Sequence, residues 1–219
     1  MGQWIDLHTA HGDIAAWRAE PAGKPRGAIV VIQEIFGVNP HIRSVAEDFA
    51  NEGYVALAPA FFDVLERGVE LGYDDEGMSR GRDLITRLGL DKAADIVGDA
   101  ARSLSGIGTI GTVGYCWGGT VALLAALRQG LPSASYYGSR DVPFLGETPK
   151  APLIFHFGER DKSIPPEMVQ QHHDALPQMP VHTYPADHGF NCDARASYDP
   201  ASAMLARERT LAFFAEHLA

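Results

Sequence analysis

Cys116 stands at the apex of Gly114-Tyr115-Cys116-Trp117-Gly118-Gly119. A β-branched run, Thr109-Ile110-Gly111-Thr112-Val113, precedes it, and a helix-like run, Val121-Ala122-Leu123-Leu124-Ala125-Ala126-Leu127, follows. A strand, a tight turn and a helix with a reactive side chain at the apex make a nucleophile elbow, in which Gly-x-nucleophile-x-Gly holds one residue in a strained conformation. A free cysteine can also be a small buried packing residue, so the thiol needs partners to count as a nucleophile. A helix beginning near Trp117 would set the positive end of its dipole beside the sulfur and favour the thiolate. The Trp117 N–H would then face the oxygen of a carbonyl under attack.

Elbows of this kind are followed in chain order by an acid and then a histidine. Leu153-Ile154-Phe155-His156-Phe157 reads as a strand and runs into Gly158-Glu159-Arg160-Asp161. Catalytic groups on open parallel sheets lie beyond the carboxyl ends of strands, which places Asp161 and its rival Glu159 in contention. Asp161 is preferred because Gly-x-x-Asp leads into Pro165-Pro166. Among nine histidines, His188 sits in Pro185-Ala186-Asp187-His188-Gly189-Phe190, directly after the run Val181 to Tyr184. His156 lies inside a strand and is expected to be structural. His172 and His173 fall in a polar helix and are expected at the solvent. His188 would exchange protons with the thiol and leaving group, Asp161 would fix the ring, and Cys116 would carry an acyl group.

The surrounding elements must bring these groups together. Trp4 to Leu7 and Ile14 to Ala19 read as a hairpin around Gly12-Asp13. Gly27 to Ile32 is a continuous apolar strand of the kind buried on both faces. Ile42, Val45, Ala46, Phe49 and Ala50 follow helical spacing, with Gly53 as a C-terminal stop. Tyr54 to Ala58 is a strand ended by Pro59. Glycines at 68, 72, 77 and 81 break any long helix before Leu90, leaving only a short one from Arg80 to Leu88. Asp91 to Leu104 is helical, and strands at 133–137, 153–157 and 181–184, with helices at 166–175 and 201–217, complete the alternation. That order predicts one α/β domain over residues 1–219, a mostly parallel, doubly wound sheet with helices on both faces.

The 219 residues can bury a sizeable core, and a net charge of -10 gives no basic footprint for nucleic acid. Two cysteines are too few for a disulfide framework, which favours a reducing, cytoplasmic setting. The start of the chain shows no basic segment followed by an apolar core, and Leu7 stands where a myristoylation site needs Ser or Thr. No apolar run approaches a membrane span.

These residues, together with Gln33-Glu34-Ile35-Phe36-Gly37-Val38-Asn39, Tyr136-Tyr137-Gly138 and Glu208-Arg209-Thr210, resemble the dienelactone hydrolase family (carboxymethylenebutenolidases) over nearly the whole chain. The resemblance implies an α/β-hydrolase fold and hydrolysis of a small lactone or ester without cofactor or metal. It implies a triad of Cys116, Asp161 and His188, and an oxyanion hole from the N–H groups of Ile35 and Trp117. Glu34 would interact with the thiol, discouraging a standing thiolate until substrate binds. The family holds a substrate carboxylate on arginines, one of them four residues after the histidine, where this chain has Cys192. Arg80, Arg82 and Arg195 are therefore the arginines to consider, with Tyr137, at the substrate. A monomer is the expected state. The same machinery serving an unrelated ester or thioester is the alternative, and a non-catalytic binding protein of this fold is a third reading.

Overall fold

The structure, a computed structural model, describes residues 2–218; Met1 and Ala219, the ends of the expected domain, lie outside the described residues. Eight strands form one sheet: β1 (Gln3–Thr9), β2 (Gly12–Ala19), β3 (Ala28–Ile32), β4 (Val55–Pro59), β5 (Ile110–Tyr115), β6 (Ser133–Tyr136), β7 (Leu153–Gly158) and β8 (Val181–Tyr184). Their spatial order is β1-β2-β4-β3-β5-β6-β7-β8. The β1–β2 hairpin pairs antiparallel with itself and with β4, and every other neighbouring pair is parallel.

The helices are α1 (Pro40–Asn51), α2 (Asp75–Leu88), α3 (Leu90–Ser103), α4 (Trp117–Leu124), α5 (Pro166–Ala175) and α6 (Pro200–His217). Alternation along β3 sends Ile29 and Val31 into one core layer, beneath Phe49 of α1 and Phe214 of α6, whose rings meet edge to face at 6.0 Å. Ala28, Val30 and Ile32 enter the other layer with Leu84 of α2 and Ile96 of α3. A central strand with both faces covered explains the uninterrupted apolar run at Ala28–Ile32.

Helix α2 corrects the sequence reading. It begins at Asp75, five residues before the expected start, and runs through Gly77 and Gly81. Asp74 caps it by accepting from the Gly77 N–H at 2.8 Å, which satisfies one of the orphan donors of the first turn. A methyl group at Gly81 would run into the carbonyl oxygen of Ile35. The glycine here is a contact surface and not a break: tertiary packing outweighs a propensity cost of about 1 kcal/mol.

Candidate active site

Strand β5 delivers the chain to Cys116, whose backbone sits at φ 57° and ψ −119° immediately before α4. A positive φ is strained for a residue with a Cβ, and neighbouring contacts hold it. The Cys116 N–H donates to the Tyr136 carbonyl at 3.0 Å. A side chain at Gly114 would collide with the Gly118 carbonyl, and one at Gly118 with the Gln33 carbonyl. The flanking glycines are thus required by close backbone approach.

Asp161 is buried on the loop after β7, and Glu159 is exposed. His188 Nδ1–H donates to Asp161 Oδ2 at 2.6 Å, and Asp161 Oδ1 accepts from the Ser163 N–H at 2.8 Å. Both carboxylate oxygens are therefore engaged, one of them fixing the imidazole. The Cys116 thiol lies close enough for its charge to act on that ring. Burial works against a charged His188, but the Cys116 charge and the Asp161 hydrogen bond outweigh it and raise the imidazole to about 10.

Cys116 and His188 share a cavity of about 240 Å³ with Ile35, Trp117, Phe36 and Met78. Two hollows of about 700 Å³ lie elsewhere on the surface and touch neither Cys116 nor His188; convergence of reactive groups, not size, marks the site. Trp117 is the first residue of α4, so its N–H has no partner within the helix. The loop after β3 brings Ile35 to the same wall.

The arginines separate. Arg82 and Arg195 line the cavity, whereas Arg80 is held outside it by Glu66 and Asp83. Tyr137 is fully buried behind the site, its ring centroid 5.1 Å from that of His188. It takes φ 42°, so the ends of two adjacent strands both carry left-handed non-glycine residues. Glu34 is buried and accepts from Arg195 Nη1 at 3.1 Å. Among the described residues it has no hydrogen bond to Cys116, so the carboxylate meets a guanidinium and not the thiol. Arg195 lines the same cavity as Cys116 and also feels its charge.

Ser139, Arg140 and Ser163 line the cavity as well, and sequence reading missed them. Ser139 and Arg140 follow β6 directly, so the rule that ligands sit beyond the carboxyl ends of parallel strands was the available signal. His172 is a correction. It is fully buried, with Nε2 3.1 Å from Asp141 Oδ2 and Nδ1–H donating to the Met168 carbonyl at 2.7 Å. Asp141 Oδ1 accepts from the Thr120 hydroxyl at 2.6 Å. This buried chain ties α5 to α4 beneath the loop that bears Ser139 and Arg140. His156 is buried too, bonded to Tyr184 and Thr210 hydroxyls at 2.8 and 3.0 Å.

Among the described residues, both cysteines are free and no helix is long and apolar enough to cross a membrane.

A model of the dienelactone hydrolase family matches residues 14–218. A Synechocystis protein named "Putative carboxymethylenebutenolidase" is 36% identical, the match covering 94% of this chain and 92% of that protein. A carboxymethylenebutenolidase of Pseudomonas putida is 33% identical, with 97% and 94% covered. The crystal structure of a "Putative Dienelactone Hydrolase" from Klebsiella pneumoniae superposes with a TM-score of 0.88 at 27% identity, covering 99% of this chain and 98% of that one. The fold is that of the α/β-hydrolases.

Proposed function

Because the chain belongs to the dienelactone hydrolase family, it is a hydrolase acting on esters, and we propose that it opens small lactones or esters through an acyl-Cys116 intermediate. The 2.6 Å bond from His188 to Asp161, at a cavity that His188 shares with Cys116, carries this reading.

His188 takes the thiol proton and becomes an imidazolium that Asp161 stabilises. The thiolate attacks the carbonyl carbon, and the N–H groups of Ile35 and Trp117 receive the oxyanion. Collapse breaks the carbon–oxygen bond, with His188 returning its proton to the leaving oxygen. Water, deprotonated by His188, then cleaves the thioester and restores the thiol. Arg82 and Arg195 supply positive charge for a substrate carboxylate. A carboxylate that takes Arg195 releases Glu34 from its partner, which links substrate binding to the state of the thiol. The reading takes the chain to act as a monomer in the cytoplasm, where reducing conditions keep Cys116 a thiol.

The test pairs two measurements. Wild type should hydrolyse p-nitrophenyl acetate with a burst equal to enzyme concentration, and Cys116→Ala should lose it; equal slow rates in both sink the reading. Dienelactone should then outpace a neutral ester of similar size, a preference that Arg195→Ala diminishes. Equal rates for the two substrates would remove the carboxylate requirement and leave a general esterase.

A further inference from the structure

Away from the cavity, three side chains able to ligate a metal converge where the loop after β8 meets the start of α1. His41, Cys192 and Asp193 each place one ligand atom within 4.8 Å of the other two. His41 Nδ1 lies 3.0 Å from Asp193 Oδ1, and its Nε2 is buried with no hydrogen-bond partner. Nδ1 is thus the His41 nitrogen that faces Asp193; with the ring proton on Nε2, its lone pair lies beside that carboxylate, a contact that a cation held between the two would relieve.

Cys192 is fully buried, and the Tyr73 hydroxyl near it accepts from Asn39 Nδ2 at 3.0 Å. A cleft of about 280 Å³ opens beside the group, lined by His41, Asp193, Asn191 and Asp48.

We propose that His41, Cys192 and Asp193 form a site for one thiophilic divalent cation of the zinc class. A thiolate, an imidazole and a carboxylate suit such an ion better than calcium or magnesium. Binding replaces the Sγ proton, which leaves to solvent; no electron moves, and water from the cleft fills the fourth position. Ligand distances of about 2.0–2.3 Å require the three atoms to close in. Asp193, with 70% of its side chain exposed, is free to do so.

The site would act as a clasp. The Cys192 N–H donates to the Gly189 carbonyl at 3.0 Å, and the Arg195 N–H to the Cys192 carbonyl at 3.1 Å. A cation on Cys192 therefore fastens to α1 the stretch of loop running from His188 to Arg195.

Cobalt(II) titration tests this, read in Cys116→Ser so that the other thiol cannot bind. One equivalent should produce thiolate-to-cobalt absorption in the near ultraviolet, displaceable by zinc and missing in Cys116→Ser/Cys192→Ser. Zinc at a hundredfold excess over its Kd should raise the melting temperature of Cys116→Ser by about 5 °C. Because Cys192 is buried and its variant can misfold, Asp193→Asn on the exposed loop is the second arm and should weaken cobalt binding at least tenfold. No absorption in Cys116→Ser overturns the site, as does a band that survives in Cys192→Ser but not in Cys116→Ser. Unchanged affinity in Asp193→Asn overturns it too.

Discussion

Arg195 Nη1 donates to Glu34 Oε1 at 3.1 Å, although 161 positions separate the two residues in the chain. The Glu34 side chain is 1% exposed and that of Arg195 16%, so neither charge is well hydrated. The guanidinium also lies over the rings of Phe36 and Tyr73, 6.0 and 5.8 Å from their centroids. In such a setting each charge depends on the other.

Removing one partner should therefore cost more than removing both. Arg195→Ala strands a buried carboxylate and should lower unfolding free energy by about 3 kcal/mol in urea. Arg195→Ala/Glu34→Gln should recover part of that loss. Strict additivity in this double-mutant cycle would mean that the pair does not couple.

Glu34 also bears on the thiol. Glu34→Gln removes a negative charge near the site and leaves Arg195 uncompensated, both of which favour a thiolate. Alkylation of Cys116 in substrate-free protein should then shift to lower pH. An unmoved pH profile would restrict Glu34 to a structural role.

His188 should titrate as a member of a pair. Its value of about 10 lies above the ordinary 6.5, despite burial, because of Cys116 and Asp161. A raised value in the folded state favours folding fully below about pH 6.5, progressively less as pH rises, and not at all above about 10. Cys116→Ser removes the sulfur's charge, so the imidazole midpoint followed by NMR should fall, and stability should depend less on pH between 7 and about 10. An identical midpoint in wild type and Cys116→Ser would show that the thiol and imidazole do not interact.

Gly81→Ala tests the seating of α2. In an exposed helix this change stabilises by about 1 kcal/mol. Here the methyl meets the Ile35 carbonyl, and overpacking of this kind costs about 1–3 kcal/mol. The variant should melt lower and hydrolyse ester more slowly, because Ile35 lines the cavity. A higher melting temperature would mean that the loop yields.

What could be read from sequence was local. The elbow at Cys116, the acid loop ending in Asp161 and the loop bearing His188 each announce themselves through covalent neighbours, and strand order then brings them together. Contacts between distant segments carry no such signature. Glu34 and Arg195 are joined only by folding, and Arg80 and Arg82 differ because helical positions two apart point about 200° from one another, to opposite faces. Gly77 and Gly81 misled for a related reason: their value lies in what they touch, and chain-local propensity counts only their cost. His172 sits in a polar helix, but its partners Asp141 and Thr120 come from other elements, so its burial left no trace in periodicity.

The left-handed backbone at Cys116 has a consequence for how this site can change. That conformation is imposed by carbonyl contacts around Gly114 and Gly118 and by the bond to Tyr136, none of which involves sulfur. Aim and reactivity are thus separable properties. A hydroxyl placed there by substitution would point in the same direction at the same imidazole, and descent could exchange one reacting atom for another while inheriting the architecture intact.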